Sequence, residues 1–392
     1  MSKKIIPIIL ISIAYIISTG ISYTIFSAKA ASTPSEISVD STVKENENTG
    51  NDYQAKVFNQ NKPKTEECPL NGAMYNKEQR EWWDKHRPLG VMIENHKESR
   101  PQSGLSFADM TYEAVAEGGI TRTLNIYYCQ DAGIIGPIRS ARTYFLDFVS
   151  EYGDYPLYAH VGGANTDGPA DALAQIENYG WAVYNDLNQF SIGYPTFWRD
   201  QNRIGRDVAT EHTMYSTTDK LWAVAEKRGL TNINEEGEPW DTSFVKYSFK
   251  DDVSLSERPG RQTVHVEFWN NEAYYVDWEY DKQNNTYLRK NGEQHIDRNT
   301  KKQLSAKNVV VLFMTERHAD DGYEGNAHLL YGTKGQGKAL IFLDGKQIKG
   351  TWKKTGRMER TIIYDESGEE IKFNRGKLWF EILSTDSVVK AS

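Results

Sequence analysis

Residues 5–26 carry no charged side chain. A run of that length either crosses a bilayer as a helix or leads a chain into export. It therefore constrains everything after it, because the rest of the chain must fold outside the cytoplasm. Lys3 and Lys4 precede the run and mark the side that stays inside. Ala28-Lys29-Ala30 offers the small residues that a signal peptidase accepts. Two outcomes follow. Residues 1–30 are a single-pass membrane anchor with an extracytoplasmic body, or a signal peptide whose cleavage near Ala30 releases a secreted chain. The length of the apolar run favours the anchor. No cysteine closes the run, so a lipid anchor is not expected.

Residues 31–66 are polar and have few large apolar side chains, which reads as a disordered tether. The chain has 46 lysines and arginines against 54 aspartates and glutamates, a formal net charge of −8. Losing Lys3, Lys4 and Lys29 makes the exported part more acidic still. No nucleic-acid partner is expected, since such binding needs a basic face. Cys68 and Cys129 are the two cysteines. An oxidising exterior permits a bridge between them, and two reduced thiols are the alternative. No metal-ligand spacing involves them, and neither a metal nor a cofactor is expected.

The remaining chain exceeds one ordinary domain. Short apolar runs at 89–93, 110–116, 121–129 and 156–161 read as strands. Aromatics at helical spacing give one helix over 141–152, with further helices at 171–179 and 221–228. The expected fold of residues 67–235 is an α+β or α/β domain with a mixed sheet and covering helices. Polar, turn-rich stretches at 232–241 and 250–260 separate it from a second domain, 255–390. Strands at 264–269, 273–280, 286–289, 308–314, 338–343, 350–353, 361–364 and 378–383 make that domain β-rich. Asp344-Gly345 supplies a two-residue hairpin turn inside it.

Several chemical motifs are imitated and fail on context. Gly332-Thr-Lys-Gly-Gln-Gly337-Lys338-Ala339 lacks the hydroxyl of a phosphate loop and runs into a strand where a helix is required. Ser41-Thr-Val-Lys44 and Lys354-Thr-Gly356 resemble penicillin-binding signatures, but the first lies in the tether and no Ser-Asp-Asn stands between them. Aromatics of the second domain, among them Trp269, Trp278, Trp352 and Trp379, suit a sheet core better than exposed stacking on sugars.

The polar residues that remain cluster in the first domain. Glu113, Glu117 and Arg122 lie at strand ends, and Gly136-Pro-Ile-Arg-Ser-Ala-Arg142 opens the amphipathic helix. Ser140 reads as its N-cap, which puts Arg142 in a first turn where the helix dipole prefers an acid. An anionic ligand held by Arg139, Ser140 and Arg142 explains that placement, and so does internal pairing with Glu113, Glu117 or Asp147. His160 ends a strand. Arg199, Arg203, Arg206, His212 and Tyr215 follow on later loops. The candidate ligand-binding set is Glu113, Glu117, Arg122, Arg139, Ser140, Arg142, His160, Arg203, His212 and Tyr215.

Arg87-Pro-Leu-Gly-Val-Met-Ile-Glu-Asn95, Arg100-Pro-Gln-Ser-Gly-Leu105, Glu117-Gly-Gly-Ile-Thr-Arg122, Gly136 to Arg142 and His160-Val-Gly-Gly163 occur in that order. With Ala209-Thr-Glu-His-Thr-Met-Tyr215 and Gly350-Thr-Trp352, the segment 68–385 resembles the YerB-like family of exported bacterial proteins. Thr210 and Glu211 depart from the proline that the family carries before its histidine. The resemblance implies a two-domain, membrane-attached extracytoplasmic protein and transfers no reaction. The expected function is binding of an anionic cell-wall polymer or an envelope protein. The alternative is a hydrolase or transferase acting on a phosphodiester or glycan, with His160 or His212 as general base.

Overall fold

The computed structural model describes residues 54–323, 325 and 327–392. The expected anchor or signal segment, 1–30, lies outside the described residues, as does most of the tether. The body begins earlier than composition suggested. Phe58 is buried and packs against Trp82, and Lys64–Glu67 already forms a hairpin with Met74–Asn76. The described residues form one compact unit.

One ten-stranded mixed sheet organises that unit. The first half of the chain contributes β1 (Leu89–Glu94), β2 (Met110–Glu117), β3 (Ile120–Tyr127), β4 (Leu157–His160) and β5 (Asp186–Asn188). β6 (Met214–Thr217) belongs to a separate small sheet. β7 (Thr263–Glu267), β8 (Val276–Asp281) and β9 (Thr286–Asn291) build a second sheet. The large sheet then resumes with β10 (Asn308–Met314), β11 (Gly335–Leu343), β12 (Lys346–Lys354), β13 (Ile362–Asp365) and β14 (Leu378–Ser384). β15 (Val388–Ala391) returns to the second sheet beside β7. The order across the large sheet is 13-12-11-10-14-2-3-1-4-5.

The two halves therefore meet through hydrogen-bonded strands. β14 runs parallel to β2, with Leu378 beside Met110 and Glu381 beside Glu113. Strands at this centre are buried on both faces, so Asn308–Met314 and Leu378–Ser384 read as nearly continuous apolar runs. In the second sheet burial alternates residue by residue along β7, β8 and β9, the pattern of a sheet covered on one face. Helices are few and short: α1 (Lys77–Trp83), α2 (Thr143–Val149), α3 (Ala172–Asn178) and α4 (Thr218–Lys227). The molecule is thus richer in strand than an α/β layering implies.

The glycine-rich stretch that imitates a phosphate loop is strand β11. A Cβ on Gly337 would lie 2.5 Å from Trp352 Nε1, so the glycine lets the indole of β12 close on its neighbour. Asp344 and Gly345 take φ of 54° and 70°, the left-handed pair of a tight hairpin turn. Trp278, Trp352 and Trp379 are core residues. Cys68 and Cys129 are joined as a disulfide. The bridge closes a loop with a sequence separation of 61 residues.

Buried ions tie the halves together. Glu113 on β2 and Arg289 on β9 pair at 2.7 Å with both side chains fully buried. Glu113 also accepts from Thr121 Oγ1 at 2.6 Å, Asn95 Nδ2 at 3.1 Å and Trp379 Nε1 at 3.2 Å. Burial, together with the charge of Glu113 alongside, pushes the Glu381 carboxyl well above the ordinary range. Its Oε1 accepts from Trp278 Nε1 at 2.8 Å. A second buried pair, Lys354 with Glu151 at 2.7 Å, spans the same division of the chain.

Candidate functional site

The segment that opens on Gly136 enters α2 two residues later than its sequence suggests. Arg142 is the N-cap, in extended conformation, and helical residues begin at Thr143. Ser140 therefore caps nothing. The charge at the helix start is answered from inside the protein. Both Arg142 and Arg122 donate to Glu117, Arg122 Nη2 at 3.0 Å, and Arg122 Nη1 also donates to the Ser140 carbonyl at 2.9 Å. Burial opposes ionisation of Glu117, but the two guanidiniums outweigh it and hold its carboxyl down at about 2. This triad is closed: each charge has its partner.

The other candidates divide in the same way. Glu113 belongs to the junction of the two halves. His160 is fully buried, with Nε2 2.5 Å from Asp186 Oδ1 and Nδ1 2.7 Å from the Gly162 carbonyl. Both ring nitrogens are occupied, so His160 locks β4 to β5 and presents no free nitrogen to a substrate. Arg203 donates to Ser103 Oγ at 2.8 Å and Asn299 Oδ1 at 2.6 Å, and lies over the buried Tyr215 ring at 5.6 Å. It clamps two loops together.

Arg139 and Ser140 point elsewhere. They line a cleft of about 520 Å³ with Gly162, Gly163, Asn165, Asn188, Phe190, Arg199 and Glu211. The cleft opens where the loop after β4 meets the loop before β6. Gly162 adopts φ of 58°, and a Cβ there would lie 2.9 Å from the Phe190 ring, which is itself 75% exposed. Arg139 approaches Glu94 Oε1 at 3.3 Å, and its Nε makes no hydrogen bond among the described residues. Burial lowers its value from the ordinary guanidinium range, while Glu94 opposes that fall. Arg199 donates to the Thr210 carbonyl and has no acidic partner among the described residues.

Glu94 connects this cleft to His212. Its second oxygen takes the Nδ1 hydrogen of His212 at 2.8 Å, and that bond, against the cost of burial, raises the imidazole above its usual value. His212 also stacks on His96, with centroids 4.8 Å apart and planes 7° apart. The sequence reading missed Glu94, His96 and Glu98. Their one signal is the alternation Glu94-Asn-His96-Lys-Glu98 at the end of a strand, which carries no fixed spacing to a residue more than a hundred positions away.

The arrangement is a two-part, sheet-joined body with a polar cleft flanked by arginines, and comparisons with known proteins place that architecture. Residues 73–231 match the N-terminal domain model of a protein family of unknown function, DUF3048, and residues 264–380 match its C-terminal domain model. The chain belongs to this YerB-like family. It is 30% identical over 306 residues to a Bacillus subtilis (strain 168) protein named "Putative lipoprotein YerB", covering 76% of this chain and 82% of that one. The crystal structure of YerB from Bacillus subtilis superposes with a TM-score of 0.66 at 25% identity, over 83% of this chain and 99% of that one. Among the described residues no helix is long and apolar enough to cross a membrane.

Proposed function

We propose that this protein is an envelope-facing binding module whose cleft takes an anionic, phosphate- or carboxylate-bearing ligand such as a cell-wall polymer. One observation carries the reading. Arg139 shares its one carboxylate with His212, and Arg199 has none among the described residues, yet both guanidiniums line the same cleft. Guanidinium forks in a partly enclosed cleft suit anions of that geometry. The Ser140 hydroxyl, the side-chain amides of Asn165 and Asn188, and the exposed Phe190 ring add polar and stacking contacts beside them. The envelope setting draws on the lipoprotein name of the relative, on residues 5–26, and on a disulfide that suits an oxidising compartment. Anchoring through the N-terminal run belongs to the same proposal.

The test is binding of purified, phosphate-bearing wall polymer to the full chain, measured by co-sedimentation and against the same polymer stripped of phosphate. Arg139→Ala with Arg199→Ala should weaken binding at least about ten-fold, the effect of losing two charged hydrogen-bonding groups. The thermal midpoint should stay within a degree or two. Unchanged binding by the double variant, or equal binding to the stripped polymer, would sink the proposal.

A further inference from the structure

We infer that His96, Glu98 and His212 form a site for one divalent metal ion of the zinc class, beside the cleft but built from different ligands. One ligand atom from each residue lies within 4.8 Å of the others. Two ligands about 2.1 Å from a tetrahedral zinc sit about 3.4 Å apart, so a closure of up to about 1.4 Å completes the set. His212 Nε2 and Glu98 Oε2 are already 3.7 Å apart.

The support around these atoms is that of a ligating histidine. His212 Nδ1 donates to the buried carboxylate of Glu94, which fixes the ring and leaves the Nε2 lone pair turned toward Glu98. Glu94 is itself held from its other oxygen by Arg139. His96 begins the short turn Lys97–Ser99, and that turn carries the Glu98 carboxylate to the same place. Its ring stacks parallel to that of His212, and its Nδ1 accepts from the Glu98 N–H at 3.3 Å, a bond that ligation through Nδ1 would replace. The donors are two imidazoles and one carboxylate, a borderline set that favours zinc or its first-row neighbours over magnesium or calcium. Glu98 is 48% exposed along its side chain, so the fourth position faces solvent and is free for water or a ligand group.

This inference does not rest on reading the cleft as an anion site. The full chain, purified without an affinity tag and stripped with chelator, is titrated with Zn²⁺ by calorimetry, with metal content measured after dialysis. One equivalent should bind with a dissociation constant below micromolar, and Mg²⁺ should give no comparable heat. His96→Ala, at a half-buried position, and Glu98→Gln, at the surface, should each weaken binding by about ten-fold or more while the metal-free thermal midpoint holds. His212→Gln should abolish it. Binding of less than half an equivalent at micromolar Zn²⁺ would overturn the site. So would a His96→Ala, Glu98→Gln double variant that binds as the parent does.

Discussion

Arg142 and Arg139 stand three residues apart on one loop and have opposite situations. Arg142 turns inward and, with Arg122, is matched by Glu117. Arg139 turns toward the cleft, where its ion pair is with Glu94, which is shared with a histidine. The same residue type thus serves structure in one case and is left available in the other. What separates them is what shares the carboxylate: Glu117 meets guanidiniums only, whereas Glu94 also holds His212. The junction pair, Glu113 with Arg289, lies at the extreme of the first kind, with no solvent contact on either side.

That contrast can be broken in order of expected effect. Replacing Arg289 by Met leaves Glu113 buried without its cation, and should cost about 3–5 kcal/mol in denaturant unfolding. A loss under 1 kcal/mol would mean that the halves are not held through this pair. Glu117→Gln leaves Arg122 and Arg142 facing one neutral amide, with an expected loss of about 2–3 kcal/mol. If Glu117→Gln were neutral, the closed triad would be no different from the open arginine.

Acid should expose the same triad in the parent protein. The folded Glu117 carboxyl titrates at about 2, below its ordinary 4.5. Its contribution is therefore complete above pH 4.5 and is lost as the pH falls toward 2. The loss should be about 2 kcal/mol, allowing for the 29% of the side chain that remains in water. Thermal midpoints of the parent and Glu117→Gln, compared from pH 6 to pH 2.5, should converge as the pH falls. At the small end, the Arg139→Ala, Arg199→Ala variant should change unfolding free energy by about 1 kcal/mol, since Arg139 is partly exposed and His212 still faces the buried Glu94 when it is gone. A large loss there would place Arg139 with Arg142 after all.

Much of the fold was legible because its signals are local. The apolar runs at 308–314 and 378–383 became central strands, and the Asp344-Gly345 turn sits where its backbone preference puts it. The short strands β5 and β6 carry too few residues for a period to show, and β15 is mostly exposed. The helix after Gly136 was visible as an amphipathic run, but its first residue was misplaced by two positions. The spacing of aromatics does not say whether Ser140 or Arg142 is the last extended residue. The candidate site was found as a list and not as a geometry. Arg139 and Ser140 belong to the cleft, Glu117, Arg122 and Arg142 to a closed triad, His160 to a strand lock, and Arg203 with Tyr215 to a loop clamp. Sorting them required knowing which carboxylate each cation meets, and those partners lie up to 176 residues away, as Glu113 and Arg289 do.

The sequence by itself determined that the chain carries an apolar N-terminal run, a polar spacer and a body of the YerB-like family whose second half is rich in strands. Each of these follows from the order and type of neighbouring residues. The tertiary structure alone decided that both halves share one sheet through β14 and β2. It also decided that Cys68 meets Cys129, and that Glu94 stands between Arg139 and His212. Strand pairing and charge pairing depend on distance in space, and the sequence order of the partners leaves that distance open.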